Sequence, residues 1–421
     1  MQEDHSGQNL SEVLFKPKFK FTETSLISNS GIPLPKLSRK DRSLGFRQGW
    51  YRSVNRFLWT WLGGNLLDLD EVLARIAFSR SKRSRPECLD TVSDYCPGNW
   101  IYEFSAMAQK RYLRAEELHA RGAERLASHN YRMATRYFAI ASYPSLRGDS
   151  LAGEAALLCR KNYRLMFECD PDNGVMQEPV ISSKYGRFSG FLHLPSDNGS
   201  YPCVIILGSY EQNISDFYRF YNDYLRPDGI AALMLNLPGL ATSEKILLSP
   251  DYSVILDAAV QYLKGVLQIN STRLGLMGVR MGGTACIREC TLHPGVFRAI
   301  MLFNPAVNSL FTDQHLLNSM PLCMRSLYAN RLNLNASDWD TIIPQMQVLS
   351  LKKQGLLSSS GVCTTPCLCC AIRDSLTSAE DIKLLKLHFK DFKLESRDNP
   401  EAAPFLLHTY QCCRDFFKEK L

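Results

Sequence analysis

The chain has 421 residues, of which 45% are hydrophobic, 22% charged and 10% aromatic, a balance that supplies a core and excludes disordered and collagen-like chains. Its formal net charge is +7, and the excess base lies before Val175, in runs such as Arg80 to Arg85 and Lys16, Lys18 and Lys20. Those runs read as solvated loops, and without an accompanying series of base-stacking aromatics they predict no nucleic-acid partner.

The 14 cysteines are far too sparse for a disulfide scaffold, and the polar stretch Met1 to Leu10 does not resemble a signal peptide, so reduced thiols and a cytoplasmic location are expected. The longest apolar stretches, Val204 to Leu207 and Ile230 to Leu235, are strand length, and no membrane segment is expected.

In chain order, residues from about Ser11 to Trp50 carry prolines and glycines with no sustained period and read as an irregular arm. From Tyr51 the spacing of Val54, Phe57, Leu58 and Trp61 is helical; Gly63-Gly64 interrupts it, and Asp68 is placed to start a second helix through Leu69, Val72, Leu73 and Ile76. Longer helices are predicted over Trp100 to Arg121, Gly122 to Ser142 and Ser150 to Phe167. They offer fewer units than a stacked repeat array needs, which leaves a helical cap domain.

Asp170-Pro171-Asp172-Asn173-Gly174 is a dense turn signal, after which strands replace helices. The domains are therefore placed at 1–175 and 176–421. Met176 to Ser183 and Arg187 to Leu194 read as a hairpin, and Cys203 to Leu207 as a strand buried on both faces. Further strands near Ile230 to Leu235, Arg273 to Met277, Arg298 to Phe303 and Pro366 to Ala371 alternate with helices at Asp216 to Leu225, Ser253 to Leu267 and Gly283 to Leu292. That alternation predicts an α/β fold with a mostly parallel, doubly covered sheet. An insertion spans about 312–357, and it includes a helix from Met320 to Leu332.

The sharpest local signal is Gly278-Val279-Arg280-Met281-Gly282, which has the spacing of the GxSxG nucleophile elbow of α/β hydrolases, with Arg280 in the serine's place. A guanidinium cannot act as the acyl-transfer nucleophile, and a cation at a helix start calls for a counter-anion. Two carboxylates are available at the carboxyl edge of the sheet: Glu211 after the first buried strand, and Asp374 after the strand ending at Ala371, where hydrolases keep their triad acid. Arg280, Glu211 and Asp374 are thus the candidate catalytic residues. Two readings stay open, a pocket for a small ester, carboxylate, phosphate or developing oxyanion, and a structural ion pair in a vacated nucleophile position.

His388, read as a strand residue, and His408, placed just before the last helix, are the histidines that follow Asp374 in triad order. Ser209 lies near the expected oxyanion loop. Cys363, Cys367, Cys369 and Cys370 lack partners at zinc spacing, and Gly275, Gly278 and Gly282 lack the dinucleotide spacing, so neither metal nor cofactor is expected.

Several scattered segments, among them Asn9 to Lys20, Gly98-Asn-Trp-Ile-Tyr-Glu103, Ala141 to Asp149, Gly190 to Pro195 and Ser350 to Leu357, resemble the FrsA (fermentation-respiration switch) family of α/β-hydrolase fold. The resemblance implies a helical N-terminal cap on a hydrolase-like domain, carboxylic-ester hydrolysis, a link to the regulation of fermentation against respiration, and binding of the unphosphorylated glucose-specific enzyme IIA of the phosphotransferase system. It also implies an elbow arginine, matched by Arg280, and an aspartate two glycines after the first buried strand, where this chain has Glu211. Asn236-Leu-Pro-Gly stands where the family pattern reads Asp-Met-Pro-Ser, a departure at a position the resemblance would make acidic.

Overall fold

The computed structural model describes residues 45–335, 339–357, 362–372, 377–397 and 402–421. Most of the expected N-terminal arm, and Asp374, lie outside them. The chain forms two compact units, one ending at Asn173 and including Pro321–Leu327, the other comprising Gly174–Met320 and Tyr328–Leu421.

The first unit is helical: α1 (Arg56–Trp61), α2 (Leu66–Phe78), α3 (Trp100–Ala120), α4 (Glu124–Ser142) and α5 (Ser150–Cys169). Helix α2 starts earlier than the sequence suggested, because the Asn65 side chain caps the Leu67 and Asp68 amides. Asp68 instead accepts a two-pronged bond from Arg111, at 2.6 Å on each oxygen. The interior centres on Trp100, whose ring meets Trp59 edge-on and Phe104 at 4.7 Å.

The basic run departs only in part from the solvated loop expected of it: Arg80 and Lys82 are exposed, but Arg83 and Arg85 turn inward. Arg83 spends its guanidinium on the carbonyls of Leu89 (3.0 Å) and Ser79 (2.9 Å), and Arg85 is buried. Carbonyls left open at the end of α2 and just after it draw Arg83 inward, while Arg85 Nη1 meets Glu87 Oε1 at 3.5 Å.

The second unit is built on an eight-stranded sheet in the order β1-β4-β6-β5-β7-β8-β9-β10. The strands are β1 (Val175–Gln177), β4 (Phe191–Leu194), β5 (Tyr201–Leu207), β6 (Ala231–Leu235), β7 (Ile269–Val279), β8 (Ala299–Phe303), β9 (Cys367–Ile372) and β10 (Phe392–Arg397). From β6 across to β10 all neighbours are parallel, whereas β1 and β4 add antiparallel. The predicted hairpin is thus divided: β2 (Val180–Ser183) and β3 (Gly186–Ser189) pair only with each other, and the outer halves of the predicted strands join the main sheet. Strand β10, which the sequence did not suggest, forms the far edge.

Helices α6 (Val254–Leu263), α7 (Met281–Leu292), α10 (Ala379–His388) and α11 (Ala402–Lys420) belong to this unit, and α8 (Leu322–Arg331) and α9 (Trp339–Gln347) lie in the insertion. The helix expected at Asp216 to Leu225 is instead a chain of 3-10, α and π turns between Ile214 and Asp228. His388 ends a helix, not a strand; its Nε2 meets Thr291 Oγ1 at 2.9 Å, and burial holds its pKa below the ordinary histidine value. His408 lies within α11, not before it, 3.6 Å from Glu395. No described helix is long and apolar enough to cross a membrane.

Continuous apolar strands explain the two-sided burial. Every residue of β6 is buried, as are all of β5 except Tyr201, as a parallel sheet covered on both faces requires. The chain runs from β5 to β6 on one side and returns to β7 on the other. The carboxyl ends of β5 and β7 therefore flank the switch point at which such sheets take ligands.

His193 on β4 is fully buried, with its ring 4.9 Å from Tyr221, and burial lowers its pKa to about 3. Below the free-histidine value of about 6.5 the unfolded chain binds this proton and the native one does not, so stability falls with pH from there towards about 3. Chemical denaturation across that window should show the stability of His193→Phe declining less steeply than that of the natural chain, by about 1.4 kcal/mol per pH unit. Equal slopes would show that His193 takes up no differential proton.

Candidate functional site

The elbow forms because three glycines let neighbouring chain come closer than any side chain would allow, at Gly278 and Gly282 backbone against backbone. A Cβ on Gly282 would lie 2.1 Å from the Leu207 carbonyl oxygen, one on Gly278 would lie 2.5 Å from Gly283 Cα, and one on Gly283 would lie 2.9 Å from Pro305 Cβ. Strand β7 thereby passes straight into α7 through Arg280, the N-cap residue, at φ 49° and ψ −113°. A positive φ in a residue with a Cβ is strained. It is held by the Arg280 amide donating to the Phe303 carbonyl at 3.0 Å and the Ala306 amide donating to the Arg280 carbonyl at 3.1 Å.

The Arg280 side chain, 20% exposed, meets Glu211, 9% exposed, with Nη1 and Oε2 3.5 Å apart. The start of α7 adds partial positive charge at the same place. Glu211 therefore balances two positive features, and it also accepts a hydrogen bond from the Ser209 hydroxyl. The loop that carries it is fixed by the Ser209 amide, which donates to Gln212 Oε1 at 3.0 Å, and by the Tyr210 hydroxyl, which donates to the Pro238 carbonyl at 2.9 Å.

Two of the three sequence-derived candidates, Arg280 and Glu211, are thus brought together, and Asp374 lies outside the described residues. Sequence reasoning missed Tyr328 on α8. Its buried ring packs edge-on to Tyr210 with centroids 5.8 Å apart, and burial, reinforced by the Glu211 charge, pushes its phenol well above the ordinary tyrosine value. A neutral phenol therefore lines the anionic side of the pair. The spacing of the insertion helix carried no signal to separate this tyrosine from core aromatics.

Asn236, at the position where the family pattern is acidic, is buried and donates to Thr242 Oγ1 at 3.0 Å. Beside Ser209 a shallow cleft lined by Gly208, Gln212, Phe217, Leu235 and Asn236 has essentially no enclosed space even for a water molecule, well short of a small-molecule pocket. Among the cysteines singled out by spacing, Cys367 and Cys369 share one strand face and Cys370 takes the other. Burial pushes all three thiols, and that of Cys363, above the ordinary value, which disfavours the thiolate that metal binding requires.

A mostly parallel sheet with a tight strand-to-helix elbow at its switch point is the architecture of α/β hydrolases. This chain belongs to the Esterase FrsA-like family, whose model matches residues 5–402, and is by family and fold an esterase-type hydrolase. It is 34% identical over 393 residues to Esterase FrsA of Yersinia pestis (strain Pestoides F), covering 92% of each chain, and equally to that of Yersinia pseudotuberculosis serotype O:1b (strain IP 31758). Among solved structures it is similar in fold to the 2,6-dihydroxy-pseudo-oxynicotine hydrolase, with a TM-score of 0.69 at 15% identity, over 87% of this chain and 96% of that one. AbyA5 is similar as well, with a TM-score of 0.62 at 17% identity, over 84% and 94% of the respective chains.

The elbow is testable apart from any activity. Gly282→Ala should cost more than about 3 kcal/mol, since the new methyl meets backbone on two sides and nothing flexible can yield. Gly153→Ala, within α5 and with nothing near its added methyl, should stabilise by about 1 kcal/mol. Urea unfolding of both variants reads the contrast, and a harmless Gly282→Ala would mean that the elbow is not packed in this way.

Proposed function

We propose that the chain hydrolyses small carboxylic esters at the Arg280–Glu211 pair, without a serine at the elbow and without a cofactor. The carrying observation is the 3.5 Å ion pair at the carboxyl edge of the sheet, with its cation on the elbow itself. In this reading Arg280 receives the ester carbonyl oxygen and stabilises the charge that develops there. Glu211 takes a proton from the attacking water and returns it to the departing alkoxide, so that acid and alcohol leave together. Asp374, which follows β9 in the sequence where hydrolases keep the triad acid, is assigned an orienting role. Lacking a covalent nucleophile, the enzyme is expected to be slow.

With p-nitrophenyl acetate as substrate, Arg280→Ala should lower kcat/KM by about 10²-fold, the loss typical of an oxyanion donor. Glu211→Gln should lower kcat by a similar factor and remove its dependence on a basic group. Undiminished turnover in both variants would move the chemistry to another part of the chain.

A second reading is favoured by one observation, that a guanidinium already paired with a carboxylate occupies the place of the attacking hydroxyl. The chain then acts as a regulator in the choice between fermentation and respiration, sensing a small anion and binding unphosphorylated glucose-specific enzyme IIA in the cytoplasm. Calorimetric titration against both phosphorylation states of enzyme IIA should give binding to the unphosphorylated form alone, weakening as salt rises. Equal heats from the two forms would remove this reading.

A further inference from the structure

Helix α7 carries a second group of charges at its other end, about 14 to 20 Å from Arg280 at 1.5 Å per residue. Glu289 and His293 are four residues apart and so lie on one face, and Asp257 comes from the first turn of the facing helix α6. One ligand-type atom from each of the three lies within 4.8 Å of the other two, and the Glu289 Oε1 to His293 Nε2 distance is 3.7 Å. Two ligands of a tetrahedral zinc ion with bonds of about 2.1 Å stand roughly 3.4 Å apart. The pair is therefore close to coordinating distance, and small side-chain rotations would bring in Asp257.

What separates this group from an ordinary surface cluster is Glu289. Its side chain is 3% exposed, and among the described residues neither it nor Asp257 has a Lys or Arg in ion-pairing distance. The basic groups nearby pair directly with another carboxylate: Arg288 Nη1 is 3.0 Å from Asp251, and Lys184 Nζ is 2.5 Å from the same group, so Arg288 reaches Glu289 only through its longer-range charge. Arg288 also donates to the Ser253 hydroxyl at 2.6 Å. Among the described residues His293 is the one potentially cationic side chain at ion-pairing distance from Glu289, and a cation held between it and the two carboxylates would relieve their mutual repulsion. The end of α7, where partial negative charge gathers and where no basic residue lies in the last turn, favours a cation in the same place.

We propose that Asp257, Glu289 and His293 form a site for one divalent cation of the zinc type, with water completing the tetrahedron. One histidine and two carboxylates suit a borderline ion better than magnesium or calcium, which prefer oxygen alone. The ion would clamp α6 to α7 and has no part in the ester chemistry, so the site stands or falls independently of the Arg280–Glu211 pair.

The test is calorimetric titration of the chelator-treated full chain with Zn²⁺, repeated with Co²⁺ so that the visible spectrum distinguishes nitrogen and oxygen ligands from thiolates. One equivalent should bind without thiolate-to-cobalt bands, and Zn²⁺ should raise the melting temperature with its concentration. His293→Ala, half-exposed and safe for folding, and Glu289→Gln should each weaken binding at least tenfold, while p-nitrophenyl acetate turnover stays unchanged in His293→Ala. No equivalent in the natural chain, equal affinity in both variants, or thiolate bands in the cobalt spectrum would each overturn the assignment.

Discussion

The second unit depends on one close approach, the packing of α7's first turn against the end of β5. At Gly282 the Leu207 carbonyl oxygen occupies the space of a side chain, so strand and helix are locked at a separation that no other residue allows. The same lock forces Arg280 into the left-handed region and fixes where its side chain emerges. Hydrolases use this backbone to present a hydroxyl. Here the backbone device is kept and its side chain exchanged, which turns a nucleophile position into a site of fixed positive charge.

That charge makes Glu211 necessary. The guanidinium and the exposed amides at the start of α7 are both positive, and neither is tolerable half-buried without an anion. The β5–β6–β7 crossover places the loop after β5 beside the elbow, so the anion arrives by topology and not by sequence proximity. Ser209 and Arg280 then both hold one oxygen of the Glu211 carboxylate, Oε2, and Tyr328 adds a buried neutral wall that keeps the local dielectric low. A group constrained in this way is oriented before any substrate arrives, as either an acid/base or an anion-sensing role would require.

The sequence made visible whatever was written locally. Continuous apolar runs gave β5 and β6, and the glycine spacing gave the elbow, because these signals depend on neighbours along the chain. Less was visible where the fold decides. Strand β10 carries Lys393, Glu395 and Arg397 with little burial, the composition of a charged edge that a period-2 pattern cannot distinguish from a loop. His388 lay in an apolar run too short to tell strand from helix, and the Ser378 side chain that caps the Asp381 amide settled it as helix. Within the site, Arg280 and Glu211 were readable from position in the fold pattern, but Tyr328, more than a hundred residues from Glu211, becomes a neighbour only when the insertion closes on the sheet.

Helix α7 unites these observations through its polarity. Its N-cap, just before the first turn crowded against β5, is an arginine where the helix dipole is positive, so the two reinforce each other and gather anionic groups at that end. Its last turn, where the dipole is negative, presents Glu289 and His293, so the opposite potential builds there and draws cations. In an ordinary helix these preferences are reversed by acidic first turns and basic last turns, which cancel the dipole. Leaving both ends uncancelled destabilises an isolated helix, and α7 tolerates it because it is anchored to β7 and β8 along its length. A buried helix can thus carry charge that its own sequence would oppose, and in this chain the anion that answers its first turn comes from another element, the loop after β5.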